Sequence, residues 1–341
     1  MKRLALLATL ALFGGTVLSS QVQAGATFDA VKARGSLNCG VHTGLAGFGA
    51  PDDKGNWAGL DVDVCRAVAA ALFGDAKKVK YVPLTTQQRF TALQSGEIDM
   101  LSRNTTLTSQ RDTELGLNFG PTNFYDGQGF LVPKKLNVKN AKELNGATIC
   151  VLPGTTTELN LTDYFRANKM DFKPVVIEKQ DELAAAFFAG RCDAITSDAS
   201  QLASIRSAQA SNPDDYVILP ELISKEPFAT GVRHGDDQWF DLVKWVVYAT
   251  FEAEEKGITS ANIDSFKGKT DPTVKRLLGE TPGLGKALGV SESWAYDVIK
   301  QVGNYGESFE RNVGSGSKLK LPRGLNAQWN KGGLIYALPI R

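Results

Sequence analysis

The stretch Leu93-Gln94-Ser95-Gly96-Glu97-Ile98-Asp99 returns further along the chain as Phe187-Phe188-Ala189-Gly190-Arg191-Cys192-Asp193. In each copy an apolar helix end runs into a glycine stop, and a short strand follows around an aspartate. Just before the first copy, residues 78–84 read as a strand, and Thr85-Thr86 can cap a helix over 87–94. Residues 98–101 form the next strand. Further upstream, strand 35–41 leads into a loop containing Gly44, Gly47 and Gly49. A helix over 61–73 then carries Val64, Val68 and Leu72 at helical spacing and stops at Gly74. The order is β-α-β-α-β, which favours a parallel sheet covered by helices.

Around the second copy the same order recurs. Strand 147–152 is followed by Gly154 and the threonines Thr155, Thr156 and Thr157. Helix 158–168, strand 174–178, helix 182–189 and strand 193–196 complete it. Two copies make two similar α/β lobes and no solenoid. Residues 124–132 and 216–232 are short apolar runs with Gly or Pro at the two transitions, as hinge strands would be. The chain therefore divides into 25–127 (first lobe), 128–222 (second lobe) and 223–341 (return to the first lobe with an extension). The return opens with an amphipathic helix over 238–255, with Trp239, Leu242, Val246 and either Tyr248 or Ala249 on its apolar side. The glycine- and asparagine-rich tail over 304–341 is expected to be ordered against the core.

The 341 residues are 43% hydrophobic and 22% charged, a soluble globular composition. Net charge is +1, from 38 basic and 37 acidic residues, which gives no footprint for a nucleic-acid partner. Lys2 and Arg3 precede an uncharged stretch over 4–18, and Val22-Gln23-Ala24 places small residues before a cut. Residues 1–24 therefore read as a secretory signal peptide, cleaved after Ala24, and not as a membrane anchor. Export exposes Cys39, Cys65, Cys150 and Cys192 to an oxidising compartment. Of the three pairings open to four cysteines, Cys39–Cys65 and Cys150–Cys192 keep each bond within one lobe. Free buried thiols are the alternative.

Catalytic and metal motifs are missing. The only histidines are His42 and His234, and no H-E-x-x-H, G-x-S-x-G or cysteine–histidine cluster occurs. Gly268-Lys269-Thr270 lacks the earlier glycine of a phosphate loop, where Ile263 stands. No cofactor or metal is expected, and a two-carboxylate hydrolase is not excluded by counting.

The polar loops point to a small ligand instead. Asn104-Thr105-Thr106-Leu107-Thr108-Ser109-Gln110-Arg111 follows a strand, where α/β sheets bind ligands. Arg111 offers a fork that matches a carboxylate, or it is a solvated arginine at a helix start. Arg89 lies in the first turn of its helix, where a cation opposes the helix dipole, so it is kept to meet an anion or snorkels at the surface. Thr86 lies one turn before it. Gly154-Thr155-Thr156-Thr157 offers amides and hydroxyls at a helix start, or simply caps it. Asp198 can accept from an ammonium, or cap the helix that follows.

These residues resemble a family. Thr106-Leu107-Thr108-x-x-Arg111, the Gly154-Thr155-Thr156 loop, Asp193-Ala194-Ile195-x-x-Asp198 and Gly59-Leu60-Asp61-Val62-Asp63 are similar to motifs of the family 3 extracellular solute-binding proteins of polar amino-acid ABC transporters. The likeness runs over residues 30–260. Val302-Gly303-Asn304-Tyr305-Gly306 and Arg323-Gly324-Leu325-Asn326 are similar to the general L-amino-acid-binding branch, which includes binders of glutamate, glutamine, aspartate and asparagine.

The resemblance implies an α/β periplasmic binding protein fold: two lobes, each a mostly parallel sheet flanked by helices, joined by two hinge strands. It implies a monomer in the periplasm that closes on an L-amino acid and presents it to the membrane permease of an ABC transporter. It implies that Arg111 clamps the α-carboxylate, helped by Thr106 and by Thr155 and Thr156. Asp198 would hold the α-ammonium with a carbonyl near Asn104, and Asn104 stands where many relatives have glycine. Arg89 would meet a side-chain carboxylate, with Thr86 beside it and Gln180 as a further contact. Enzymes such as cyclohexadienyl dehydratases, a lytic-transglycosylase domain and sensing proteins share this fold and are the alternatives.

Overall fold

A computed structural model describes residues 25–341. The expected signal peptide, 1–24, lies outside the described residues. The chain runs α1 (Ala26–Arg34), β1 (Leu37–His42), the small hairpin β2 (Ala50–Pro51) and β3 (Trp57–Ala58), α2 (Leu60–Phe73), β4 (Val79–Leu84), α3 (Arg89–Ser95), β5 (Met100–Leu101), α4 (Ser109–Thr113) and β6 (Leu117–Asp126). After Gly127 come β7 (Gln128–Pro133), β8 (Thr148–Val151), α5 (Thr156–Ala167), β9 (Lys173–Val176), α6 (Gln180–Phe188), β10 (Ala194–Asp198), α7 (Ala199–Gln209) and β11 (Tyr216–Ile218). The return is β12 (Glu226–Arg233), α8 (Asp237–Glu255), α9 (Pro272–Leu277), α10 (Leu284–Leu288), α11 (Trp294–Val302) and α12 (Tyr305–Asn312).

Two five-stranded sheets result, ordered β4-β1-β5-β12-β6 and β11-β7-β10-β8-β9. Within each, only one strand opposes the others: β12 in the first sheet and β7 in the second. Those are the strands that follow each crossing between lobes. At the hinge Asp126 and Glu226 stand directly opposite each other on β6 and β12. Gly127 makes the crossing where a Cβ would lie 2.7 Å from the Ser224 carbonyl oxygen, so only glycine fits without a shift.

The repeated stretch does the same work twice. Gly96 and Gly190, with φ of 83° and 78°, follow α3 and α6 in the left-handed region. The amides of Asp99 and Asp193 then donate to Asn38 and Thr148 carbonyls, at 2.9 and 2.8 Å. Their carboxylates accept in return from the Asn38 and Thr148 amides, at 2.7 and 2.8 Å. Each copy thus pins its third strand to its first.

Disulfides join Cys39 to Cys65 and Cys150 to Cys192, one within each lobe. Helix α8 buries Trp239, Leu242, Val243, Val246 and Ala249 in the first lobe, so Ala249 rather than Tyr248 continues its apolar face. The tail packs Ile335 into the core while Asn326 brackets Tyr125 on the hinge strand β6, accepting from its amide at 2.7 Å and donating to its carbonyl at 3.1 Å. No helix among the described residues is long and apolar enough to cross a membrane.

Candidate functional site

The carboxyl ends of β1, β5, β8 and β10 converge on the cleft between the lobes. Thr85 and Gln88 bond reciprocally through side chain and amide, so Thr85 starts the α3 turn and leaves Thr86 free to face inward. Arg89 opens α3 and is buried. After β5 the chain turns at Asn104, whose φ of 29° is a conformation that asparagine tolerates and glycine supplies. The Asn104 amide donates to Asp61 on α2 at 2.8 Å. The loop then runs beside β12, with the Ala229 amide donating to Thr105 and the Leu107 amide to Pro227. Thr108 caps α4, a single turn that folds Arg111 back so its Nη1 donates to the Thr106 carbonyl at 2.7 Å. In the second lobe Thr155 caps α5 and puts Thr156 at its first position. Asp198 stands at the N-cap of α7, but its side chain makes no capping bond.

A cavity lies between the lobes. Thr86, Arg89, Arg103, Asn104 and Thr106 line it on one side, and Leu152, Thr155, Thr156, Thr157, Ser197, Asp198 and Gln201 on the other. Four of its buried polar atoms have no hydrogen-bond partner: Thr86 Oγ1, Arg89 Nε, Asn104 Oδ1 and Asp198 Oδ1. Such groups are costly unless something polar meets them. Arg111 lies just outside, on an adjoining groove that shares Thr155 and Thr156. The Phe90 ring holds both the Arg89 and Arg111 guanidiniums over its faces, at 4.8 and 5.0 Å. Gln180 sits behind the cavity wall and accepts from Gln201 at 2.6 Å, while Gln201 accepts from Asn104 at 3.0 Å across the lobes. A separate cavity against α2, α8 and α12 is lined mostly by apolar groups, and its one carboxylate, Asp63, is already bonded to Ser308, Arg311 and Asn312.

The model of the bacterial extracellular solute-binding proteins, family 3, matches residues 37–257. The chain belongs to this family. It is 58% identical over 335 residues to the general L-amino acid-binding periplasmic protein AapJ of Rhizobium johnstonii, covering 97% of this chain and 98% of that protein. It is 54% identical over 335 residues to the glutamate/glutamine/aspartate/asparagine-binding protein BztA of Rhodobacter capsulatus, covering 97% and 99%. Among solved structures, a periplasmic binding protein from Brucella ovis with glutathione bound is 58% identical with a TM-score of 0.90, covering 92% of this chain and 99% of that one.

The electrostatics of this solute-binding protein are unusual for a protein interior. Burial pushes the Arg103 and Arg111 guanidiniums down to about 10, and pushes Arg89 well below the arginine range, with the Arg111 and Arg103 charges adding to it. A guanidinium stays protonated in proteins, so the unmet cost is a demand for an anion. Burial raises Asp198 well above the carboxylate range, and the nearby Asp126 and Glu226 charges add to the rise. Burial likewise carries Asp61 to about 7 and Asp126 to about 6. Buried ionisable groups shifted this far cluster at functional sites.

Sequence reasoning missed Arg103, Asp126, Gln201 and Glu226, and took Asp61 only as part of a motif, without a place at the site. His42 ends β1 buried, pushed well below the histidine range by burial and by Arg103 and Arg89. One signal was present: Asp126 is the single charged residue of the hinge segment 124–132, whereas Glu226 shares its segment, 216–232, with Glu221 and Lys225.

Proposed function

We propose that this protein is the periplasmic substrate-binding component of an ABC importer for polar L-amino acids, favouring glutamate, aspartate and their amides. The observation that carries the reading is the split of partnerless buried atoms along the cavity. On the first lobe stand Arg89 Nε, the Thr86 hydroxyl and Asn104 Oδ1, and across the cavity on the second lobe stands the carboxylate oxygen Asp198 Oδ1. That division suits a zwitterion whose ammonium meets Asp198 and whose side-chain carboxylate or amide meets Arg89. Arg111, at the mouth, then takes the α-carboxylate with the Thr155–Thr156 helix start. The names of the AapJ and BztA relatives support amino acids as the ligand class and membrane import as the setting. Ligand contacts to both lobes would stabilise the closed form, which the permease would recognise.

A second reading extends the ligand. The groove beside Arg111, between Phe90 and Gln110 on one lip and Glu158 and Asn160 on the other, leads outward from the cavity. With the glutathione of the Brucella ovis relative, it supports a γ-glutamyl peptide whose glutamyl end enters the cavity. The enzyme alternative has less support: Glu226, a buried glutamate bonded to the cavity threonines Thr106 and Thr156, already accepts four hydrogen bonds, which fill its acceptor sites.

Calorimetric titration of unfolded and refolded protein with the twenty L-amino acids and glutathione tests these readings. Glutamate, aspartate or their amides should bind one-to-one and leucine poorly. Arg89→Ala should weaken glutamate by roughly 10- to 100-fold, the scale of a charge-assisted bond, and barely affect a neutral aliphatic ligand. Equal losses for both ligands refute the role of Arg89. Binding of glutathione alone replaces the first reading by the second, and turnover of a cyclohexadienyl acid with no amino-acid binding replaces both.

A further inference from the structure

We infer that Glu226 sets the hydrogen-bond polarity of the ligand site: it fixes Thr106 and Thr156 as acceptors and so selects ligands that carry an ammonium. This rests on the amino-acid reading above and assigns that site a specificity-determining residue which itself touches no ligand.

Glu226 is the first residue of β12 and is fully buried. Its Oε2 accepts from the Thr106 hydroxyl at 2.6 Å and from the Thr156 hydroxyl at 2.7 Å. Its Oε1 accepts from Asn160 Nδ2 at 2.8 Å and from the Ser224 hydroxyl at 2.6 Å. A carboxylate has about four acceptor sites, so these neutral donors fill it. The backbone imposes the arrangement. The loop carrying Thr106 lies along β12 by the Ala229–Thr105 and Leu107–Pro227 bonds. Thr156 and Asn160 lie one turn apart on α5 and reach Glu226 together.

A threonine hydroxyl has one proton and two lone pairs. Thr106 and Thr156 both spend the proton on Glu226, so they turn only lone pairs towards the cavity they line. Their oxygens lie 3.4 Å apart, close enough to share one donor group. Asp198 Oδ1 and Asn104 Oδ1 on the same cavity are also acceptors without partners. A primary ammonium brings three N–H donors and no lone pair. A ligand hydroxyl brings one donor, and an acylated nitrogen has lost its charge. Without Glu226 the two threonine protons are released to turn inward, where they would face the ammonium donor to donor but could bond a ligand hydroxyl. The role thus differs from the one the resemblance implies for the Thr106 side chain, which is to help hold the α-carboxylate.

Glu226 also ties elements of both lobes, and a purely structural role would weaken every ligand alike. The test is therefore a ratio. Dissociation constants for L-glutamate and (S)-2-hydroxyglutarate are measured by competition calorimetry on the full mature protein, as wild type, Glu226→Met and Glu226→Gln. In the methionine variant the preference for glutamate over the hydroxy acid should fall by at least about tenfold. The glutamine variant keeps one accepting oxygen for the two hydroxyls and should hold the preference within about threefold of wild type. Equal weakening of both ligands in Glu226→Met, or a glutamate affinity within about threefold of wild type, overturns the inference. If thermal melting shows that Glu226→Met does not fold, Thr106→Val is measured in the same way. It should lose preference through the missing acceptor, and an unchanged ratio again overturns the inference. A wild-type protein that binds neither compound overturns the amino-acid reading and this one together. An unchanged ratio in a protein that binds glutamate overturns this one alone.

Discussion

Asp198 has a carboxylate raised well above its ordinary range by burial and by the Asp126 and Glu226 charges, with Arg89 and Arg111 pulling the other way. A ligand ammonium beside it favours the ionised form. Binding must then expel a proton, and linkage gives the sign: affinity rises with pH while the ligand-free group is still protonated, and levels off above its raised pKa. The slope cannot exceed about one proton, or tenfold per pH unit. Glutamate binding measured at successively lower pH in two buffers of different ionisation enthalpy should show proton release, and Asp198→Asn should abolish most of it while weakening binding. Identical heats in both buffers would sink the proposal. At this scale the sequence is legible where chemistry and position disagree locally. Arg89 opposes its own helix dipole, and that misfit is visible without coordinates. Asn104 is readable too, since an asparagine in a glycine position accommodates the left-handed φ observed. Glu226 and Gln201 were not legible, because their meaning comes from partners on other elements, Thr106 and Asn104, far away along the chain.

Elements are where the reading from sequence went furthest, because the repeated Gly96–Asp99 and Gly190–Asp193 stops each encode a helix end and a strand anchor together. Boundaries moved by a residue or two, as at α3, which starts at Arg89 because the Thr85–Gln88 turn takes the first residues. The glycine loops were marked as turns, but their close approaches were invisible. Gly59 precedes α2 with φ of 140°, and a Cβ there would lie 2.0 Å from the Phe48 carbonyl oxygen. The contact docks the loop over 45–49 on α2: the Leu60 amide donates to Gly47 and the Asp61 amide to Phe48. Asp61 in turn holds the Asn104 amide of the ligand site. Gly59→Ala should therefore cost at least about 2 kcal/mol, and lower the melting temperature by roughly 3 °C or more. Gly55→Ala makes the control. Its φ of 79° is strained for alanine, but nothing lies within 4 Å, so only about 1–2 kcal/mol should be lost. Thermal denaturation of the two variants compares them directly, and equal losses would mean that crowding against Phe48 relaxes freely.

For the whole molecule, the lobes meet at contacts that no motif announced. Ser204 on α7 donates to the Ala46 carbonyl at 2.9 Å, and Thr85 donates to Glu178 at 2.9 Å at another point along the cleft. Under the hinge-closure proposal, opening would return these donors to water, so each contact's net worth is small, about 0.5–1.5 kcal/mol. Neither touches the cavity wall, so each biases closure without reading the ligand. A ligand's apparent affinity scales with the population of the form that binds it. Ser204→Ala should then weaken glutamate and glutamine by one common factor, between about twofold and tenfold, and leave their ratio unchanged. Arg89→Ala should do the reverse, moving the ratio. Calorimetry on the two variants with the two ligands separates closure from recognition. A ratio that shifts in Ser204→Ala would mean that the α7 contact shapes the pocket itself. Unchanged affinities would mean that the Ala46 contact adds nothing to the closed form.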